Sequence, residues 1–252
     1  MTKNIETIGA WIRRLLFPRR CAACSALLDW YEIEKPPLCD ACLALWERET
    51  RKECEICAKP IARCDCMTES MKKAGCAGFR KLVYYRHGKR SEVQNRVIYR
   101  IKNTRDVETA RFLAARLLRE CEQELAPAEL SARVCLTYVP RATRTKLETG
   151  TDQARELAEA LGHLSGIPME RLIRRQKHHR VPQKKLSARE RLRNAEQTFC
   201  LCRNADVKGK NVILVDDIVT TGSTVATCVK LLRKGGAARV FCLSVATNEL
   251  HH

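Results

Sequence analysis

Asp216 and Asp217 stand side by side behind four apolar residues, Val212-Ile213-Leu214-Val215, and are followed by Ile218-Val219 and then Thr220-Thr221-Gly222-Ser223-Thr224. Adjacent carboxylates can accept hydrogen bonds from neighbouring hydroxyl groups, and small hydroxyl residues around a glycine leave backbone N–H groups open to an anion. A phosphate would rest on Thr220, Thr221, Gly222, Ser223 and Thr224, with ribose hydroxyls facing Asp216 and Asp217 at the end of a strand. Together these residues describe a receptor for a sugar phosphate. A turn that only capped a helix would have no use for the two acids.

Such a turn works only between a strand and a helix. Val212 to Val215, bounded by Lys208-Gly209-Lys210, reads as a buried parallel strand, and Val225, Val229 and Leu232 place a helix over Ser223 to Lys234. Upstream, Lys81 to Tyr85 reads as a first strand, and Val93, Val97, Ile98 and Ile101 trace a helix face. A second helix is expected over Val107 to Leu125, and Arg133 to Val139 forms a strand closed by Pro140. Asp152 is expected to cap the helix that carries Ala154, Leu157, Ala158 and Leu161, and Ala238 to Ala246 supplies the last strand. This alternation specifies an α/β, mainly parallel, doubly wound sheet, which binds ligands beyond the carboxyl ends of its strands.

A second set of residues carries metal chemistry. Cys21-x-x-Cys24, Cys39-x-x-Cys42, Cys54-x-x-Cys57 and Cys64-x-Cys66 fall within 46 residues. Each pair brings two thiolates to one side of a turn, and two pairs complete a tetrahedral zinc site. Two zinc ions are expected, with the pairing open and with either Cys66 or Cys76 finishing the second site. Four thiolates leave no position for a substrate, so the role is structural. With few apolar residues of its own, the module is expected to need metal to fold.

The boundary lies where cysteines thin out, giving a zinc-ribbon module at 1–77 and an α/β domain at 78–252. Ile8, Trp11, Ile12, Leu15 and Leu16 share one face of an expected short amphipathic helix that opens the module, Arg13-Arg14 interrupts what would have to be the apolar core of an export signal, and no run approaches the roughly 20 apolar residues of a membrane span. The expected compartment is the cytoplasm, with reduced thiols and no integral membrane segment. A formal charge of +18 favours phosphate-rich partners, and residues 171–193 concentrate ten basic side chains against one acid. Arg174, Arg175, Lys177, Arg180, Lys184 and Lys185 are candidates for holding single-stranded DNA. Aromatic residues are 5% of the chain, with Tyr84, Tyr85 and Tyr99 the clustered stacking candidates, so binding is expected to be led by the backbone.

Residues 212–224 resemble the phosphoribosyl pyrophosphate (PRPP) motif of type I phosphoribosyltransferases without departure. With the cysteine pairs, the Tyr84 to Lys102 stretch, Val139-Pro140, Gln183-x-x-Leu186 and Arg193-Asn194, the chain resembles the ComF family, in which a double zinc ribbon precedes a phosphoribosyltransferase-like domain in bacterial proteins linked to DNA uptake. The resemblance implies PRPP bound with Mg²⁺, Arg141 on the pyrophosphate loop, and Arg174 and Lys177 closing over the leaving group beside Asp216 and Asp217. It also implies the DNA-uptake machinery as a partner. Where the family usually reads Arg-Gly-Phe-Asn-Gln, this chain reads Glu148-Thr149-Gly150-Thr151-Asp152-Gln153. A missing arginine and an added acid beside a polyanion site support binding of PRPP further than its turnover. The alternative function is an active phosphoribosyltransferase acting on a nucleobase-like acceptor.

Overall fold

The computed structural model describes residues 18–29, 35–121, 133–141, 150–176 and 198–248. In chain order these form helix α1 (Asp40–Thr50), a 3-10 turn (Ile61–Arg63), α2 (Glu69–Lys73), β1 (Gly78–Tyr84), α3 (Val93–Asn103), α4 (Val107–Glu120), β2 (Val134–Tyr138), α5 (Gln153–Ser165), β3 (Ile173–Arg175), β4 (Phe199–Leu201), β5 (Asn211–Val219), α6 (Ser223–Lys234) and β6 (Arg239–Thr247).

Among the described residues the main sheet runs β1-β6-β5-β2, and every pairing in it is parallel. The apolar, β-branched strands 212–215 and 240–246 occupy its centre, where both faces are covered. On one face Ile213, Val215, Leu243 and Val245 meet Leu113 and Leu117 of α4 and Leu157 and Leu161 of α5. On the other, Val212, Leu214, Val240 and Cys242 meet Val225, Val229 and Leu232 of α6 and Met71 of α2. Asp106 caps α4 by accepting from Thr109 N. Asp152 holds the N-cap position of α5 as expected, but its side chain makes no capping hydrogen bond.

Two boundaries differ from the sequence reading in ways that bear on function. β5 does not stop at Val215: it continues through Asp216 and Asp217 to Val219, because Asp216 pairs with Ser244 and Ile218 with Ala246. The two acids are therefore inside the strand rather than beyond its end. Arg174 and Arg175, read as loop residues, belong to β3, which pairs antiparallel with β4 in a separate two-stranded sheet. The first strand starts three residues earlier than expected, at Gly78, where a side chain would strike the Phe241 ring.

The cysteine-rich segment is less poor in apolar contacts than its composition implies. Trp46 of α1 is fully buried and meets Phe112 edge-on at 5.9 Å, and Ile61 and Met71 are equally buried. No helix of the described residues is long and apolar enough to cross a membrane.

Candidate functional site: a carboxylate cleft and two thiolate clusters

At the carboxyl ends of β2 and β5 a cleft of about 200 Å³ is lined by Arg141, Asp152, Gln153, Arg175, Asp216, Asp217 and Thr224 among others. Of the residues singled out by sequence, Asp216, Asp217, Arg141 and Thr224 come together here with Arg175. Arg174 is exposed on β3 and does not line the cleft; Lys177, Arg180, Lys184 and Lys185 lie outside the described residues. Pro140 ends β2, and Arg141 follows it and donates to Gln153 Oε1. Gln153 in turn donates to the Lys102 carbonyl at 3.1 Å, so the first residue of α5 ties the β2 loop to the end of α3.

The acids are held by backbone. Asp217 N donates to Asp216 Oδ1 at 2.9 Å, and Ile218 N donates to Asp217 Oδ1 at 2.8 Å. Burial, and after it the charge of Asp217, raises the Asp216 carboxyl well above its usual value. Lys102 pulls in the opposite direction. Two crowded carboxylates with one oxygen of each spoken for are a donor set that suits a hard divalent cation or a pair of hydroxyls.

Past Val219 the chain turns sharply into α6. Gly222 sits at the N-cap with φ of 72°, the left-handed region that favours glycine. Its space is limited as well: a β-carbon there would collide with Thr68 Oγ1 and press on Ser70 and Met71. Ser70 Oγ donates to the Thr221 carbonyl at 3.0 Å, and Thr221 and Ser223 hydroxyls lie 3.0 Å apart. Thr220, Thr221, Ser223 and Thr224 are exposed, leaving their hydroxyls facing solvent around the helix N-terminus. The segment behind this turn comes from the cysteine-rich module, a neighbour that sequence reasoning did not find.

The cysteines divide in chain order. Sγ atoms of Cys21, Cys24, Cys39 and Cys42 lie within 4.8 Å of one another, as do those of Cys54, Cys57, Cys64 and Cys66. The Cys24–Cys39 and Cys57–Cys64 separations, 3.7 and 3.5 Å, are close to the edge of a tetrahedron whose centre lies about 2.3 Å from each sulfur. Both sets therefore fit zinc. Cys66, not Cys76, completes the second set, because Cys76 packs instead at 3.4 Å from Cys242.

Burial alone would raise the Cys54 thiol, but N–H groups of Ile56 and Cys57 outweigh it and bring the group down to about 6. Cys21 falls to about 7 in the same way, through Cys24 and Cys39 N–H groups. Burial and then the facing thiols push Cys66 up. Clusters of this kind hold thiolates at some positions and crowd them at others, which a bound cation relieves.

Lys81 is the functional residue that sequence reasoning missed. It is 1% exposed within β1, and its Nζ donates to Cys66 O at 2.6 Å, Cys64 O at 3.1 Å and Cys64 Sγ at 3.2 Å. The available signal was a lysine leading directly into the apolar run Leu82-Val83-Tyr84, since an ammonium buried with such a strand needs a compensating partner. Tyr84, expected as a stacking candidate, is instead buried against Cys54, Ile61 and Cys64.

Comparison with known proteins agrees with this geometry. Residues 148–249 match the family described as phosphoribosyl transferase domain. The chain is 34% identical over 149 residues to the DNA utilization protein YhgH of Salmonella typhimurium, a match covering 58% of this chain and 65% of that protein. It is 37% identical over 93 residues to Competence protein F of Haemophilus influenzae, covering 36% of this chain and 40% of that protein. A 38-residue stretch is 58% identical to the ribose-phosphate pyrophosphokinase of Pyrococcus furiosus, covering 15% and 14% of the two chains. The chain thus spans a little under two thirds of the length of the YhgH proteins it matches. The resemblance to the ComF family is borne out at this level: the chain carries a phosphoribosyl transferase domain, its homologues are named DNA utilization protein YhgH and Competence protein F, and its N-terminal cysteine clusters are consistent with a zinc ribbon.

Proposed function

We propose that the protein binds PRPP with Mg²⁺ in the carboxylate cleft and holds single-stranded DNA, acting in the cytoplasm as a ComF-like protein of DNA uptake or utilisation. In this reading residues 1–77 are the metal-binding module and 78–252 the phosphoribosyl unit. The observation that carries it is the convergence of Asp216, Asp217, Arg141, Arg175 and Thr224 from separate parts of the chain on one cleft. Carboxylates complement ribose hydroxyls, and guanidinium groups complement phosphates through paired N–H donors.

Asp216 and Asp217 orient the ribose, the amides and hydroxyls of Thr220, Thr221, Gly222, Ser223 and Thr224 hold its 5′-phosphate, and Arg141 faces the pyrophosphate. The crowded acid pair fits Mg²⁺, which when bound offsets negative charge on the pyrophosphate. The names of the relatives, DNA utilization and competence, support the DNA half of the reading.

A second reading, transfer of phosphoribose to a nucleobase-like acceptor, is favoured by Arg175, which lines the cleft where a leaving pyrophosphate would need a cation. Arg174 and Lys177 are the catalytic cations expected from sequence, and the geometry favours Arg175 over Arg174 for that place.

Calorimetric titration with PRPP and Mg²⁺ tests the proposal. The Asp216→Asn/Asp217→Asn variant is expected to bind at least about 100-fold more weakly, since each acid supplies charge-assisted hydrogen bonds of about 1.5–3 kcal/mol. Unchanged affinity rejects the site, and consumption of PRPP in the presence of a free base would favour the enzymatic reading. Asp216 supplies an independent readout. Its carboxyl titrates higher in the folded chain than in the unfolded one, so its contribution to stability is present at low pH and is lost as pH rises from the ordinary carboxylate range through the raised value. Asp216→Asn should therefore flatten the pH profile of unfolding and exceed the parent in stability at neutral pH.

A further inference from the structure

Between the first cysteine knuckle and α3 lies a second, larger cleft of about 720 Å³, within the range of about 300–1,000 Å³ of ligand sites. Ala22, Ala23 and Ser25 form one wall. The other carries Arg86, Lys89, Arg90, Arg96, Arg100 and Lys102, with no acidic residue among those lining it. Two tyrosines stand among these cations. Tyr99 is 60% exposed with the Arg90 guanidinium 6.0 Å from its ring centre, and Tyr85 has Lys102 Nζ at 5.7 Å.

The wall is built rather than incidental. Asn95, itself 6% exposed, donates to the carbonyls of Arg86 and Lys89 at 2.6 and 2.8 Å and accepts from Arg86 N, pinning the turn after β1 onto α3. Arg96 Nε donates to the Arg90 carbonyl at 3.4 Å, and Arg100 is held by Asp106 at 2.7 Å. Arg90 and Arg96 remain exposed.

We propose that this cleft is a binding site for single-stranded nucleic acid, with bases stacked on Tyr99 and Tyr85 and the backbone carried by Arg90 and Arg96. Cations alone would suit any polyanion. Flat rings presented among them suit a polyanion that also carries stackable bases. Lys102 extends the cleft toward the phosphoribose site, since its backbone carbonyl is bound by Gln153 and its charge acts on Asp216. A strand lying here would pass beside the carboxylate cleft. The inference rests on the nucleic-acid half of the proposed function and moves the site away from the basic run 171–193.

Fluorescence anisotropy with labelled oligothymidylate and oligouridylate of about 16 nucleotides, the upper end of single-module site sizes, tests it. Tyr99→Ala should weaken binding about five- to a hundred-fold, with Tyr99→Phe restoring it, because the phenyl face still stacks. Arg90→Ala/Arg96→Ala should lower the slope of log affinity against log salt by about 1.4, or 0.7 for each phosphate no longer neutralised. PRPP affinity, measured by calorimetry on the same variants, should not change.

Oligouridylate binding as well as oligothymidylate would mean that bases and phosphates alone are read; tighter oligothymidylate binding would mean that the site prefers the strand with the thymine methyl and without the 2′-hydroxyl. Either outcome supports the site. Oligoglutamate of equal charge competing as well as the nucleic acids would overturn it, as would unchanged affinity and slope in both variants. Failure of the unmodified protein to bind either oligonucleotide would remove the nucleic-acid function itself, and the site with it, leaving the PRPP reading to stand on its own titration.

Discussion

The first thiolate cluster, Cys21, Cys24, Cys39 and Cys42, leaves Cys24 exposed and is buried through apolar side chains, with Ala22, Leu38 and Trp46 entering the core beneath α3 and α4 and the ion pairs Arg19–Glu108 and Arg116–Glu47 at its rim. The second, Cys54, Cys57, Cys64 and Cys66, packs on Tyr84 and Ile61 and is joined in addition through buried polar groups. Lys81 reaches it from β1, and Thr68 and Ser70, just past Cys66, reach the hydroxyl-rich turn at Thr221 and Gly222. The same ligand set thus serves two purposes. Apolar packing is tolerant of small shifts, so the first cluster can act as a wall for the basic cleft. A buried ammonium beside thiolates does not tolerate removal of its partner, so the second cluster fixes the position of whatever is attached to it.

The largest expected effect follows from Lys81. Lys81→Met should destabilise the protein by about 3–5 kcal/mol, the usual consequence of leaving a buried charge uncompensated, and zinc content should fall from about two ions to one. Denaturant unfolding with metal analysis measures both. An unchanged midpoint with two ions retained would dissolve the distinction between the clusters.

Next is the junction between the second cluster's segment and the hydroxyl-rich turn at Gly222. Gly222→Ala should cost about 2–4 kcal/mol, from a left-handed backbone and from overpacking against Thr68. Adding Thr68→Ala should recover about 1 kcal/mol, because only the packing part is relieved. A double variant no better than the single one would mean that the segment merely lies near the turn.

The smallest effect is expected at the exposed ligand. Cys24→Ser should lower stability by about 1–2 kcal/mol and weaken oligonucleotide binding while leaving PRPP titration unchanged. If PRPP affinity dropped with it, the two clusters would be coupled to the same site, contrary to their separate attachments.

Much of this organisation is legible from neighbours in the chain. The apolar run ahead of Asp216 and Asp217, the helical spacing of Val225, Val229 and Leu232, and the x-x spacing of the cysteine pairs are local patterns, and local patterns report strand, helix and knuckle directly. Where sequence and structure part, long-range pairing decides. Acids are poor strand residues, which puts Asp216 and Asp217 beyond the strand on sequence grounds, yet pairing with β6 carries β5 to Val219. Arg174 and Arg175 sit in a charge run with no alternation, and only β4 makes β3 a strand.

By itself, then, the amino-acid sequence determined the chain order of the strands and helices of the main sheet, the hydroxyl-rich turn after β5, and the spacing within the cysteine pairs, because each is set by residues a few positions apart. Only the tertiary structure decided that Cys66 rather than Cys76 is the fourth thiol, that Arg175 rather than Arg174 enters the cleft, that Lys81 supports the second cluster, and that Tyr99 stands in a basic groove. Each of these depends on side chains from distant segments, as when Ser70 meets Thr221 across 151 positions. Such meetings form because the parallel crossovers of the sheet return separate loops to one rim, a juxtaposition that local spacing does not encode.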